Sequence, residues 1–164
     1  MIESDSAAIE QCAKLLIDHK LTIAFAESAT AGSLSAAFSR LSEAGSFLKG
    51  GLVCYDACLK EDILGVSKEL IEQYSPESIE VTSEMAIGLK RLMRADVHVA
   101  VTGLTRPGGS ENEEKPVGTM FFCIMQNDKI SCCKECFSGN EDAIISQTIE
   151  QISKSIVKVL IGNQ

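Results

Sequence analysis

The chain has 164 residues, 45% of them apolar and 23% charged, enough for one domain with a full core and short for two. Its net charge is -8, which argues against non-specific nucleic-acid binding, because that depends on Lys and Arg neutralising phosphates. No apolar run reaches the roughly 20 residues of a membrane span, and the acidic start Met1-Ile2-Glu3-Ser4-Asp5 lacks the basic-then-apolar order of a secretion signal. Seven cysteines without such a signal read as reduced thiols in a cytoplasmic protein.

Ser4 or Asp5 is placed to cap a first helix running to about Asp18, with Ile9, Cys12 and Leu16 on its buried face. Residues 22–26 read as a strand. The turn Glu27-Ser28-Ala29-Thr30-Ala31-Gly32 follows, then a helix to about Ser42. Glu43-Ala44-Gly45-Ser46 breaks the pattern. Residues 47–55 form a second strand, in which Gly50-Gly51 predicts a bulge or a close backbone approach. Short helices are expected over 56–64, closed by Gly65, and over 68–74, capped by Ser67 and ended by Ser75-Pro76.

Thr82, Met85, Leu89, Leu92 and Met93 predict a further helix to about Arg94. Residues 97–101 are apolar at nearly every position, as in a strand covered on both faces. The long irregular segment 102–116 precedes two strands, 117–126 and 129–137, joined at Asn127-Asp128 as a tight hairpin. Asn140 caps a last helix with Ile144, Thr148, Ile152, Ile156 and Leu160 on one face. The order predicts an α/β fold in one domain over 1–164, parallel at its start and with an antiparallel strand from the hairpin.

Three segments fall at or just after strand ends: 28–32, 55–60 and 102–116. In open α/β sheets ligands bind beyond the carboxyl ends of the strands, so the three are expected to share one cleft. Ser28 sits at a strand-to-helix turn, where free N–H groups at the helix start can hold an oxyanion or a phosphate. His19, at a helix end, and His98, inside a strand, read as structural. That leaves Lys60, five residues after Tyr55, as a base for Ser28: burial can lower a lysine pKa, and serine–lysine pairs are known triad variants. Gly108-Gly109 with Arg106 and Lys115 reads as an anion-binding loop. Cys132-Cys133 and Cys136 lack the partners of a metal site, so no metal is expected. Glu27 orients either the turn or the substrate.

These pieces, in this order, resemble the CinA C-terminal domain family, which includes nicotinamide-nucleotide amidases. The matching motifs are Ala26-Glu27-Ser28-Ala29-Thr30-Ala31-Gly32, Gly50-Gly51-Leu52-Val53-Cys54-Tyr55 with Lys60, Val101-Thr102-Gly103 with Pro107-Gly108-Gly109, and Lys115-Pro116-Val117-Gly118-Thr119. The resemblance implies a three-layer α/β/α sandwich with a mixed, mostly parallel sheet of about five strands. It also implies hydrolysis of nicotinamide mononucleotide to nicotinate mononucleotide and ammonia, with no cofactor and no metal. Ser28 would be the nucleophile, Lys60 and Tyr55 its activating partners, and N–H groups at the start of the next helix the oxyanion donors. Glu27, Ala29, Thr30 and Gly32, with Thr102, Gly103, Thr105, Arg106, Gly108 and Gly109, would contact the nucleotide. The chain departs from the family pattern at Ala57, Arg106 and Glu141. Two alternatives stay open: a nucleotide-binding or interaction module without turnover, and an amidase for another small amide. The expected partner is a small-molecule nucleotide, with no nucleic acid and no membrane, and a homodimer is the default assembly.

Overall fold

A computed structural model describes residues 7–162. The predicted cap at Ser4 or Asp5 lies outside them. Helix α1 (Ala7–Asp18) buries Ile9, Cys12 and Leu16, the face its spacing predicts. Strand β1 (Ile23–Glu27) is buried at every position and so is the spine of the sheet. Helix α2 (Ser33–Ser39) ends sooner than its sequence suggests. The short helix α3 (Ala44–Phe47) replaces the expected break. Gly45, Ser46 and Phe47 are weak helix formers, but burial of Phe47, 1% exposed, fixes the turn.

Strand β2 (Leu48–Val53) pairs parallel with β1. The register jumps from Leu48 to Gly50, which is the irregularity that the paired glycines predict. A Cβ on Gly51 would lie 1.9 Å from Ser35 Oγ, so only glycine lets α2 pack this close. Helices α4 (Ala57–Asp62), α5 (Lys68–Tyr74) and α6 (Ile79–Leu92) lead to β3 (Val97–Gly103). The side chain of Ser78 caps α6, four residues before the predicted Thr82 face begins. Strands β4 (Thr119–Gln126) and β5 (Lys129–Cys136) form the predicted hairpin. Asn127 and Asp128 both have positive φ, the two-residue turn that suits a twisted ribbon. Asn140 Oδ1 accepts from Ala143 N and caps α7 (Glu141–Gly162).

The sheet order is β2-β1-β3-β4-β5, parallel across the first three strands and antiparallel at β4 on both sides. Helices α1, α2, α3 and α7 cover one face around Phe25, Phe38 and Phe122. Helices α5 and α6 cover the other around Ala24, Ala26, Met85 and Leu89. This is an α/β/α sandwich. The chain leaves β1 on one side for β2 and returns on the other for β3. The order therefore reverses at β1, and the carboxyl ends of β1 and β3 frame a topological switch point.

Candidate active site

Ser28 is the first residue beyond β1, and its N–H donates to Val101 O of β3 at 3.0 Å, which ties the turn to the switch point. The turn itself is built around Glu27. That carboxylate is fully buried. It accepts from Thr30 Oγ1 at 2.6 Å, Gly32 N at 3.0 Å, Leu34 N at 3.0 Å, and Ser35 N and Oγ at 2.7 and 2.5 Å. Gly32 takes φ 95°, which a side chain would resist. Glu27 therefore orients the turn and not a ligand. The expected oxyanion donors at the start of α2 are already occupied by this carboxylate. The Ala29 N–H, next to Ser28, carries no hydrogen bond among the described residues.

Lys60, in the last turn of α4, is 1% exposed. Its Nζ stands 3.1 Å from Ser28 Oγ and 3.1 Å from Cys54 O. Burial lowers its pKa, against an opposing pull from the charge of Glu77 and weaker ones from Cys54, Asp56 and Cys58. Desolvation disfavours the ammonium, so the buried amine is biased toward the neutral form that can take a proton. A serine hydroxyl beside such an amine is the nucleophile–base pair that acyl transfer requires.

Above the pair lies a cleft of about 320 Å³ lined by Ser28, Ala29, Tyr55, Glu77 and the 103–109 loop. That volume suits one small ligand. Tyr55 is half exposed, and its hydroxyl accepts from Arg106 Nη2 at 2.8 Å rather than meeting Ser28. Thr105 Oγ1 donates to Glu141 Oε1 at 3.2 Å. The contact with Tyr55, and then the charge of Glu141, push the Arg106 pKa up. Two of the departures, Arg106 and Glu141, thus sit together at the rim. The Gly108 N–H donates to Glu111 Oε1 at 2.7 Å and holds that carboxyl below its usual range. Lys115, 9% exposed, bonds Ser75 Oγ, Glu77 O and Ser110 Oγ at 2.6, 3.0 and 2.7 Å.

Of the residues expected here, the structure brings together Ser28, Lys60, Tyr55, Ala29, Gly103, Thr105, Arg106, Gly108 and Gly109. Glu27, Thr30 and Gly32 form the scaffold of the turn. Thr102 is fully buried and bonds Thr82 Oγ1 at 2.8 Å, so it braces α6 against β3. His98 Nε2 lies 2.8 Å from Met93 O, and His19 lies just past the exposed end of α1; both are remote from the cleft. Glu77 is the lining residue that the sequence reading missed. Its only signal was an acid after Pro76 at a helix start.

The cysteines need a correction. Cys123 and Cys132 are joined in a disulfide, where all seven were expected as thiols. The antiparallel register sets the two directly opposite, on the face that packs on α6. Among the described residues no group of His, Cys, Asp and Glu is placed to hold a metal. No described helix is long and apolar enough to cross a membrane.

Fold and cleft together define an α/β protein with a serine–lysine pair at the carboxyl ends of parallel strands. The chain belongs to the CinA C-terminal domain family, whose pattern it matches over residues 5–160. It is 34% identical over 161 residues to a CinA-like protein of Thermotoga maritima, covering 98% of this chain and 39% of that one. It is 42% identical over 126 residues to a CinA-like protein of Mycobacterium sp. (strain JLS), covering 77% of this chain and 29% of that one. The chain thus spans well under half the length of these relatives. Among solved structures, the competence damage-inducible protein A of Klebsiella pneumoniae superposes with a TM-score of 0.91 at 26% identity, covering 96% of this chain and 97% of that one. A competence or damage-inducible protein of Enterobacter asburiae superposes at 0.89 with 26% identity, covering 94% and 97%.

Proposed function

We propose that the chain is an amidohydrolase that converts nicotinamide mononucleotide to nicotinate mononucleotide and ammonia. The observation that carries this reading is the buried contact between Lys60 Nζ and Ser28 Oγ at the floor of the cleft. Neutral Lys60 takes the hydroxyl proton as Ser28 Oγ attacks the carboxamide carbon. The Ala29 N–H, the residue after the nucleophile, faces the developing oxyanion. Lysine then returns its proton to the departing nitrogen, the C–N bond breaks and ammonia leaves an ester on Ser28. Water attacks that ester while Lys60 takes its proton; the Ser28 Oγ–C bond then breaks as Lys60 returns the proton to Oγ, and the acid product leaves and ionises to the carboxylate. Arg106 at the rim supplies positive charge for the phosphate.

The test is ammonia release from nicotinamide mononucleotide by the purified chain, against a Ser28→Ala control of equal thermal stability. Absence of release above that control, across pH, overturns the reading. A second reading, nucleotide binding without turnover, is favoured by Tyr55, whose hydroxyl is engaged by Arg106 and not by Ser28. It predicts ligand-dependent thermal stabilisation with no product.

A further inference from the structure

The cleft wall carries an acid that the hydrolytic reading leaves unused. Glu77 lines the same small cavity as Ser28. Its Oε2 accepts a hydrogen bond from Ser110 Oγ, and its main-chain carbonyl accepts from Lys115 Nζ at 3.0 Å. The lysine thus fixes the backbone and the serine fixes the carboxylate. No described cationic side chain forms an ion pair with that carboxylate.

The segment that presents it is held under tension. Ser75 has φ 71° and ψ 158°, a region that residues other than glycine adopt only when their surroundings impose it. Here the surroundings are explicit. Ser75 Oγ accepts from Lys115 Nζ at 2.6 Å and donates to Glu77 O at 3.1 Å, while Ser78 Oγ donates to Ser75 O at 3.0 Å. Such conformations cluster at functional sites, and this one lies two residues before Glu77, which lines both the cleft and the neighbouring pocket that holds Ser110 and Lys115.

We propose that Glu77 is a specificity-determining residue that selects substrates whose amide is carried on a cationic ring. The assignment rests on the hydrolytic reading above. A carboxamide within reach of Ser28 brings its ring into the same cavity, against the wall that Glu77 supplies. With Lys60 neutral as the base requires, Glu77 is the acid of a cavity that Arg106 also lines, with Lys115 one hydroxyl away through Ser110, and a positive ring adds a direct partner for its carboxylate. A neutral ring of the same shape gains no charge pairing there and leaves the acid with its Ser110 hydrogen bond alone.

Nicotinamide mononucleotide and its 1,4-dihydro form test this directly, because they differ in ring charge and hardly in shape. Binding is read by calorimetry and turnover by ammonia release, in the wild type, Glu77→Gln and Glu77→Asp. Gln keeps an acceptor for Ser110, and Asp keeps the charge. The wild type is expected to prefer the oxidised form by about tenfold or more. Glu77→Gln is expected to lose that preference while keeping its affinity for the dihydro form and its melting temperature; Glu77→Asp is expected to keep much of it. Equal binding of both forms by the wild type, or equal loss of both in Glu77→Gln, overturns the assignment. Selective binding without ammonia release overturns the hydrolytic reading and leaves the role of Glu77 standing. Binding of neither form overturns both.

Discussion

Lys60 Nζ and Ser28 Oγ lie 3.1 Å apart although 32 residues separate them in sequence, and both side chains are buried. Nothing else among the described residues contacts that hydroxyl through a hydrogen bond. Ser28→Ala should therefore lower ammonia release from nicotinamide mononucleotide by at least about 10³-fold. Lys60 keeps its bond to Cys54 O, so the melting curve should hardly move. Steady-state rates and a thermal melt on the same preparation check both halves.

The pH profile should carry the signature of Lys60. Its pKa is lowered, first by burial, against the opposing charges of Glu77, Cys54, Asp56 and Cys58. Neutral lysine is the active form, so kcat/KM should rise with pH to a plateau whose midpoint lies below the usual lysine value. Glu77→Gln removes the largest opposing charge and should move that midpoint down. Lys60→Met should cost about 10²- to 10⁴-fold in kcat and abolish the limb. The linkage has a definite sign as well. The unfolded chain binds the proton more tightly than the folded one, so this group makes stability rise with pH between the two values.

Glu27→Gln should cost about 3 kcal/mol of stability by urea denaturation, because one acceptor oxygen becomes a donor facing N–H and O–H groups. Loss of activity should accompany loss of fold here. A variant that stays as stable as the wild type would refute the scaffold role.

Arg106→Ala breaks a contact at an exposed rim, so the melting temperature should hardly change. Affinity for nicotinamide mononucleotide should fall about tenfold, whereas that for the riboside, which lacks the phosphate, should not. Parallel calorimetric titrations of the two ligands measure the difference.

Thiol counting tests the cross-strand bond. Under denaturing conditions without reductant, five thiols should react, those of Cys12, Cys54, Cys58, Cys133 and Cys136. After reduction all seven cysteines should react. Seven before reduction would show Cys123 and Cys132 unlinked.

Where burial was the dominant force, the elements were legible in the sequence. The step-of-four face of α7 and the apolar run of β3 are both buried as their patterns demand. Helix α3 was not, because its stability comes from Phe47 packing and not from local preference. The cross-strand pair was in fact accessible. Cys123 and Cys132 lie equally far from Asn127-Asp128, and a two-residue turn there makes them face each other.

The site divides similarly. Ser28, Lys60 and the glycine loop carry motifs and were found together. Residue type alone could not separate Glu27 as scaffold from Glu27 as ligand, nor Thr102 as brace from Thr102 as contact. Those roles depend on where a side chain points, which the turn geometry decides. Glu77 escaped because Pro76 reads as punctuation between helices, and the strain at Ser75, two residues before it, has no sequence signal.

The carboxylate of Glu27 has one further consequence, for time rather than for charge. All its partners lie within eight residues, so the turn that follows Ser28 closes through local contacts. Short-range contacts form with little loop entropy. The amides of Gly32, Leu34 and Ser35 should consequently exchange hydrogen with solvent as one cooperative unit, a readout of nucleophile placement that needs no substrate.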